Sequence, residues 1–139
     1  MLFQPVNPDL PVPIWEQIVA QVTYAIASGA LESGELIPSV RELAPRILVH
    51  PNTVAKAYQE LERRGVVVSR RGKGMEVTPG APELCRTWRR DLIRRRVRET
   101  LREAVASALS PEEVRQIVEE ELDRADGQRR LRDSTREKR

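Results

Sequence analysis

Residues 38–74 read PSVRELAPRILVHPNTVAKAYQELERRGVVVSRRGKG, and the order of signals in this stretch decides the fold. Ser39 followed three residues later by Glu42 is the start of a capping box. Val40, Leu43, Ala44 and Ile47 then recur at helical spacing. Pro45 lacks the N–H that a longer helix would use, so this helix is expected to be short and slightly kinked. After a tight turn, His50 or Asn52 opens a second helix, with Pro51 in a first turn that has no use for its missing N–H. Val54, Ala57, Tyr58 and Leu61 give that helix its inner face, and Gly65 ends it. Val66-Val67-Val68 predicts a short strand, Met75-Glu76-Val77-Thr78 its partner, and Arg70-Arg71-Gly72-Lys73-Gly74 the turn between them. Helix, turn, helix and wing follow in that order. Such a unit presents one helix to the major groove of DNA and a basic loop beside it.

Upstream, Ile14, Ile18, Val22, Ala25 and Ile26 mark one face of another helix, with Pro13 in its first turn and Ser28-Gly29 at its end. Ala30 to Ile37 reads as a turn containing Gly34, with a short strand near 35–37. Residues 1–10, polar and Pro-rich, read as a leader arm. Downstream, Pro79-Gly80-Ala81-Pro82 is expected to break all regular structure and to bound a head domain over residues 1–80. Leu84, Trp88, Leu92, Ile93, Val97, Leu101, Ala104, Val105, Ala108 and Leu109 then form one long helical stripe. Ser110-Pro111-Glu112-Glu113 stops that helix and starts another, along which Val114, Ile117, Val118, Glu121 and Leu122 line one side. Residues 81–127 are therefore read as a helical dimerisation domain. The charged residues 128–139 are read as a disordered tail. The fold class is mostly α with a small β-wing: a winged helix-turn-helix head followed by a two-helix dimerisation segment.

Composition narrows the function. Cys85 and His50 are the sole residues of their types, which leaves no internal disulfide and no zinc site of the usual ligand number. No apolar run approaches the ~20 residues that span a bilayer, and the N-terminal MLFQPVNPDL lacks the basic and apolar regions of a signal peptide. A cytoplasmic protein is expected. No nucleophile–base pair, phosphate loop or carboxylate pair stands out, so no enzyme, cofactor or metal is expected. Residues 1–80 hold eight basic and eight acidic residues, so placement of charge carries the argument and total charge does not. Arg70, Arg71 and Lys73 crowd one turn with no nearby acid. A second basic block, 86–98, carries seven Arg and one Asp, the pattern of a solvated helix face or of a polyanion contact.

The head resembles the DNA-binding domain of the GntR family of bacterial transcription regulators. The resemblance covers roughly residues 11–78. It is carried by Pro13-Ile14-Trp15-Glu16-Gln17-Ile18, Leu36-Ile37-Pro38-Ser39-Val40-Arg41-Glu42-Leu43-Ala44, Pro51-Asn52-Thr53-Val54-Ala55-Lys56-Ala57-Tyr58, Leu61-Glu62 through Gly65, and Arg70-Arg71-Gly72-Lys73-Gly74. The short helical remainder looks like the YtrA subfamily, whose C-terminal part is two helices. The resemblance implies repression, often of operons encoding membrane transporters, at an operator with a GT…AC core. It also places Leu48 where many relatives carry Gly, and a positive φ there would be strained. His50 stands where many carry Asn.

The residues expected on DNA are Ser39, Arg41, Asn52, Thr53, Lys56, Tyr58, Arg70, Arg71, Gly72 and Lys73. Arg41, off the apolar face of its helix, suits guanine O6/N7 or a phosphate, and the resemblance implies that it reaches DNA. Asn52, Thr53 and Lys56 occupy the first turns of the next helix, where Asn reads adenine, Thr and the backbone N–H groups hold phosphate, and Lys neutralises charge. Tyr58 is expected to be partly buried with its hydroxyl outward. Gly72 lets the wing approach closely while Arg70, Arg71 and Lys73 reach the minor groove or its phosphates. Leu84, Trp88, Leu92, Val97, Leu101, Val105, Leu109, Val114, Ile117, Val118 and Leu122 are expected at a homodimer interface, and Trp15 in the core or against the C-terminal helices. The chain thus reads as a sequence-specific DNA-binding regulator, a repressor that binds a pseudo-palindromic operator as a dimer. Two other readings fit part of the pattern: a non-specific architectural DNA-binding protein, and a winged-helix interaction module without DNA binding.

Overall fold

The computed structural model describes residues 3–137. Its elements in order are α1 (Ile14–Ala27), β1 (Leu36–Ile37), α2 (Val40–Arg46), α3 (Pro51–Arg63), β2 (Val67–Arg70), β3 (Gly74–Val77), α4 (Ala81–Ala106) and α5 (Pro111–Glu137). The winged helix-turn-helix arrangement expected from residues 38–74 is present. The three strands form one antiparallel sheet in the order β1-β3-β2, with Ile37 opposite Met75 and Val67 opposite Val77. Two compact units result, one running to Leu92 and one from Ile93.

The first unit closes around the apolar faces of its helices. Ile18, Val22, Ile26, Leu43, Val54, Ala57, Leu61, Val66, Val67 and Val77 are fully or almost fully buried. Local signals fix where each helix begins and ends. The N–H of Glu42 donates to Ser39 Oγ at 3.2 Å, and the N–H of Asn52 donates to His50 Nδ1 at 3.1 Å. His50, not Asn52, is therefore the cap of α3. Pro45 lies in the last turn of the seven-residue α2, so only one intrahelical bond is forgone. Leu48 joins α2 to α3 at φ 54°, the strained left-handed backbone its position implied, and its side chain is 92% exposed.

Residues 3–12 are tied to the head more closely than a leader arm would be. Phe3 is buried in the core. The Gln21 amide accepts from the N–H of Gln4 at 2.8 Å and donates to its carbonyl at 3.0 Å. Gln17 does the same for Asn7, at 2.9 and 2.8 Å. Two glutamine side chains on α1 thus supply the backbone pairing that a strand partner would otherwise give.

The head also reaches beyond Pro82. Pro79 and Gly80 form a turn, but Ala81 and Pro82 already belong to α4, and Ala81 and Cys85 are buried in the head's core. Burial pushes the Cys85 thiol up to about 11, which leaves it a neutral packing group. The apolar stripe expected along this helix is in fact two stripes. Ala81, Cys85, Trp88 and Leu92 share one side. Ile93, Val97, Leu101 and Ala104 share another, and the nine residues from Trp88 to Val97 turn the helix by about half a revolution beyond two full turns. The expected boundary at residue 80 is thus displaced: the first three turns of α4 complete the head.

In the second unit, Ala108 takes φ 62° in the turn between the helices. Ser110 and Glu113 then form a reciprocal capping box, at 3.2 Å from the Glu113 N–H to Ser110 Oγ and 2.8 Å from the Ser110 N–H to Glu113 Oε2. The helix that follows does not stop at Gly127. Residues 128–137, expected to be disordered, continue α5, with Asp126 and Arg130 paired at 3.1 Å and good helix formers at Gln128, Arg129, Arg130 and Leu131. Residues 138 and 139 of the expected tail lie outside the described residues. No described helix is long and apolar enough to cross a membrane.

Candidate nucleic-acid interface

Three elements of the head border one open groove, to which Ser39 and Tyr58 of the expected DNA residues contribute. It is bounded by Ser39 and Val40 at the start of α2, Ala55, Gln59 and the acidic Glu62 on the outer face of α3, and Ser69 and Met75 in the wing. Ser39 lines this groove, Arg41 and Asn52 are exposed in the first turns of α2 and α3, and Thr53 is half-buried. The N-terminal turn of α3 thus presents the positive end of the helix dipole together with a carboxamide and a hydroxyl, while its own N–H groups are taken up by His50. That combination suits a phosphate and a base edge at once.

The wing is a β-hairpin whose tip is Arg71, Gly72 and Lys73, closed by the Lys73 N–H donating to the Arg70 carbonyl at 2.9 Å. Gly72 at φ 75° supplies the left-handed residue that this turn needs. Arg70 differs from its neighbours. Its Nε lies 2.7 Å from Glu76 Oε2 across the hairpin, so an acid does lie near this basic turn. Pairing on β3 brings Glu76 within reach, a proximity that sequence separation conceals. Among the described residues no carboxylate pairs with Arg41, Arg71 or Lys73.

Two expected contacts are placed differently. Tyr58 is buried at 4% exposure, and its hydroxyl donates to the Pro38 carbonyl at 2.6 Å. Burial, with the nearby Glu42 charge, raises its phenol well above the ordinary value. The expected outward-facing hydroxyl is thereby corrected: Tyr58 ties α3 to Pro38, two residues before α2. Lys56 remains exposed, but its Nζ lies 4.8 Å from the Trp15 ring centroid, so its charge rests on α1. Gln59 was not singled out from sequence, although it follows Asn52 by seven residues and therefore shares its helical face.

At the far end of α3, Glu60 accepts from Arg63 and Arg64 at 2.6–2.9 Å. These bonds draw its carboxyl down to about 2. Trp88 lies close by, half-buried against the core, with the Arg64 guanidinium 5.5 Å from its ring centroid. Trp88 thus packs on the head with part of its ring left uncovered. Leu92 is on the same side of α4 by spacing, while Leu84 is 38% exposed.

A second helix whose first turn is exposed, a preceding helix that carries an unpaired Arg, and a basic wing define a winged helix-turn-helix DNA-binding protein. The model of bacterial regulatory proteins of the gntR family matches residues 14–77. The HTH-type transcriptional repressor YtrA of Bacillus subtilis (strain 168) is 32% identical over 115 residues, which are 83% of this chain and 88% of that protein. Among solved structures, a transcriptional regulator from Oenococcus oeni is 29% identical with a TM-score of 0.73, covering 86% of this chain and 99% of that one. YtrA from Sulfolobus acidocaldarius, a GntR-family transcription factor, is 27% identical with a TM-score of 0.53, covering 88% and 99%. The chain belongs to the GntR family and is similar over most of its length to YtrA-type members. It is a DNA-binding transcriptional regulator and not an enzyme.

Proposed function

We propose that two copies of this chain bind a pseudo-palindromic DNA operator in the bacterial cytoplasm and repress transcription from it, with the helical unit holding the copies together. The observation that carries this reading is the uncovered apolar surface of the second unit. Val97, Leu101, Val105, Ile117, Val118 and Leu122 are 38–69% exposed, and α5 buries no residue. Soluble chains rarely leave such a row open, and a second copy supplies the matching surface. Leu109 and Val114 lie between these residues in sequence and join the same interface. Repression is inferred from likeness to a protein named as a repressor.

In each head, Arg41 and Asn52 read base edges, Ser39 and Thr53 hold phosphate, and Arg71, Gly72 and Lys73 engage the adjacent minor groove. Lys56 and Arg70 add charge from positions fixed by Trp15 and Glu76. Two such heads match half-sites about 34 Å apart or a multiple of that.

The test uses an operator selected from random duplexes by the full-length protein. Arg41→Ala is expected to weaken that operator by about 1–3 kcal/mol and to relax preference at one position. Lys73→Ala is expected to weaken selected and random duplexes alike and to lower the salt slope by about one. Unchanged affinity in both folded variants would remove this contact scheme. Ending the chain after Leu92, which retains the buried Ala81 and Cys85, is expected to give a folded monomer with weak operator binding. A truncated protein that still sediments as a dimer would place the interface in the head.

A further inference from the structure

Glu121 interrupts the apolar side of α5. Val114, Ile117, Val118 and Leu122 recur there at three- and four-residue steps, and Glu121 falls on the same side. Its carboxylate lies 3.3 Å from Arg124 in a pair whose members are 61% and 70% exposed, an arrangement of little strength. Whatever covers Ile117, Val118 and Leu122 covers Glu121 with them. A carboxylate removed from water needs a cation and hydrogen bonds at close range.

Matching cations lie along α4. Arg86, Arg90, Arg94, Arg98 and Arg102 follow one another at four-residue steps. Like charges at that spacing oppose the helix, so an anion laid along the row stabilises it. Residues 86–102 hold eight Arg and two acids, and residues 112–126 of α5 hold seven acids and two Arg. Helical geometry sets Arg94 and Arg98 at the edge of the face formed by Ile93, Val97 and Leu101.

DNA is the less suitable anion. The first turns of α4 meet the head through Arg64 over Trp88, and Arg64 caps the C-terminal end of α3. Asn52 is twelve residues away at the other end of that helix, about 18 Å along its axis. The row therefore starts at the end of the head remote from the proposed DNA surface.

We infer that in the homodimer proposed above, on which this inference rests, Glu121 of one copy pairs with the Arg94–Arg98 edge of α4 in the other. Two-fold symmetry makes the contact twice. A charge set within an apolar interface fixes register, since a slipped pairing leaves the carboxylate buried alone.

The test exchanges the charges between chains. Glu121→Arg in one chain and the double change Arg94→Glu with Arg98→Glu in another should each weaken self-association tenfold or more, as measured by sedimentation. Mixed one to one, the two variants should form a heterodimer of nearly wild-type strength, because both contacts regain opposite charges. Dimerisation of the unaltered protein should also weaken several-fold between 0.1 M and 1 M salt, a readout that needs no variant. A wild-type dimer with no recovery on mixing, or with no weakening in salt, would overturn the pairing alone. An Arg94/Arg98 variant that dimerises normally but loses operator affinity would assign the row to DNA. A monomeric wild-type protein would instead overturn the homodimer reading and the pairing with it.

Discussion

The two units of this chain are built from the same kind of helix and end in opposite states. In the head, α1, α2, α3, the sheet and the start of α4 cover one another, and no buried side-chain nitrogen or oxygen among the described residues lacks a hydrogen-bond partner. In the helical unit, α5 buries nothing, and the apolar side chains of α4 beyond Leu92 remain open. Amphipathic spacing alone does not produce a core. A core forms where strands and turns return the chain on itself, and a lone pair of helices needs another surface.

Core substitutions should separate the units most sharply. Leu61, fully buried in α3, is expected to lose about 2–5 kcal/mol of stability on replacement by Ala. Leu101→Ala, at a position 38% exposed in α4, should leave the urea midpoint of dilute protein almost unchanged and weaken association instead. Equal losses in dilute urea titrations would break the contrast between a closed unit and an open one.

A smaller effect is expected at the strained turn of the head. A left-handed backbone costs a non-glycine residue about 1–2 kcal/mol, and glycine returns about 0.5–1 kcal/mol of that through its freer unfolded chain. Leu48→Gly should therefore raise the stability of the head by up to about 1 kcal/mol in thermal melts. Ala108→Gly, which relieves a similar φ in the other unit, should leave the melting of the head where it is. A loss of stability in Leu48→Gly would show that the exposed leucine contributes more than its strain removes.

The smallest expected effect concerns charge. Arg63 and Arg64 hold the Glu60 carboxyl at about 2, below its ordinary 4.5. A carboxyl depressed in the folded state stabilises above its unfolded pKa, and that contribution fades as pH falls from about 4.5 towards 2. Glu60→Gln should flatten this part of the melting temperature against pH. Glu112→Gln in α5, whose partner Arg115 is 3.7 Å away and well exposed, should change nothing. Parallel curves for Glu60→Gln and the unaltered protein would remove Glu60 as a stabilising contact.

The parts of the fold that were legible are those with a local cause. Ser39 and Ser110 both cap as read, and Gly29 and Gly65 both take the left-handed backbone that ends a helix. The parts that were not legible depend on partners distant in sequence. Nothing local distinguishes Arg70 from Arg71 until β3 brings Glu76 across the hairpin. Tyr58 looks amphipathic until the Pro38 carbonyl, twenty residues earlier, meets its hydroxyl. The α4 stripe was misread because a run of apolar residues at three- and four-residue steps can drift around a helix, and only burial showed where one side gives way to another. The tail was misread from composition, which measures the lack of a core and not the helix preference of the residues.

The chain has just two tryptophans, and the head uses one near each end of α3. Trp15 lies under Lys56 in the helix's second turn, and Trp88 lies under Arg64 at its C-terminal cap. A nearby cation and the access of water both alter indole emission. These two rings are therefore built-in optical reporters of one helix, addressed separately by replacing one or the other with Phe. The first would follow what happens at the end of α3 proposed to meet DNA. The second would register what arrives from the opposite end.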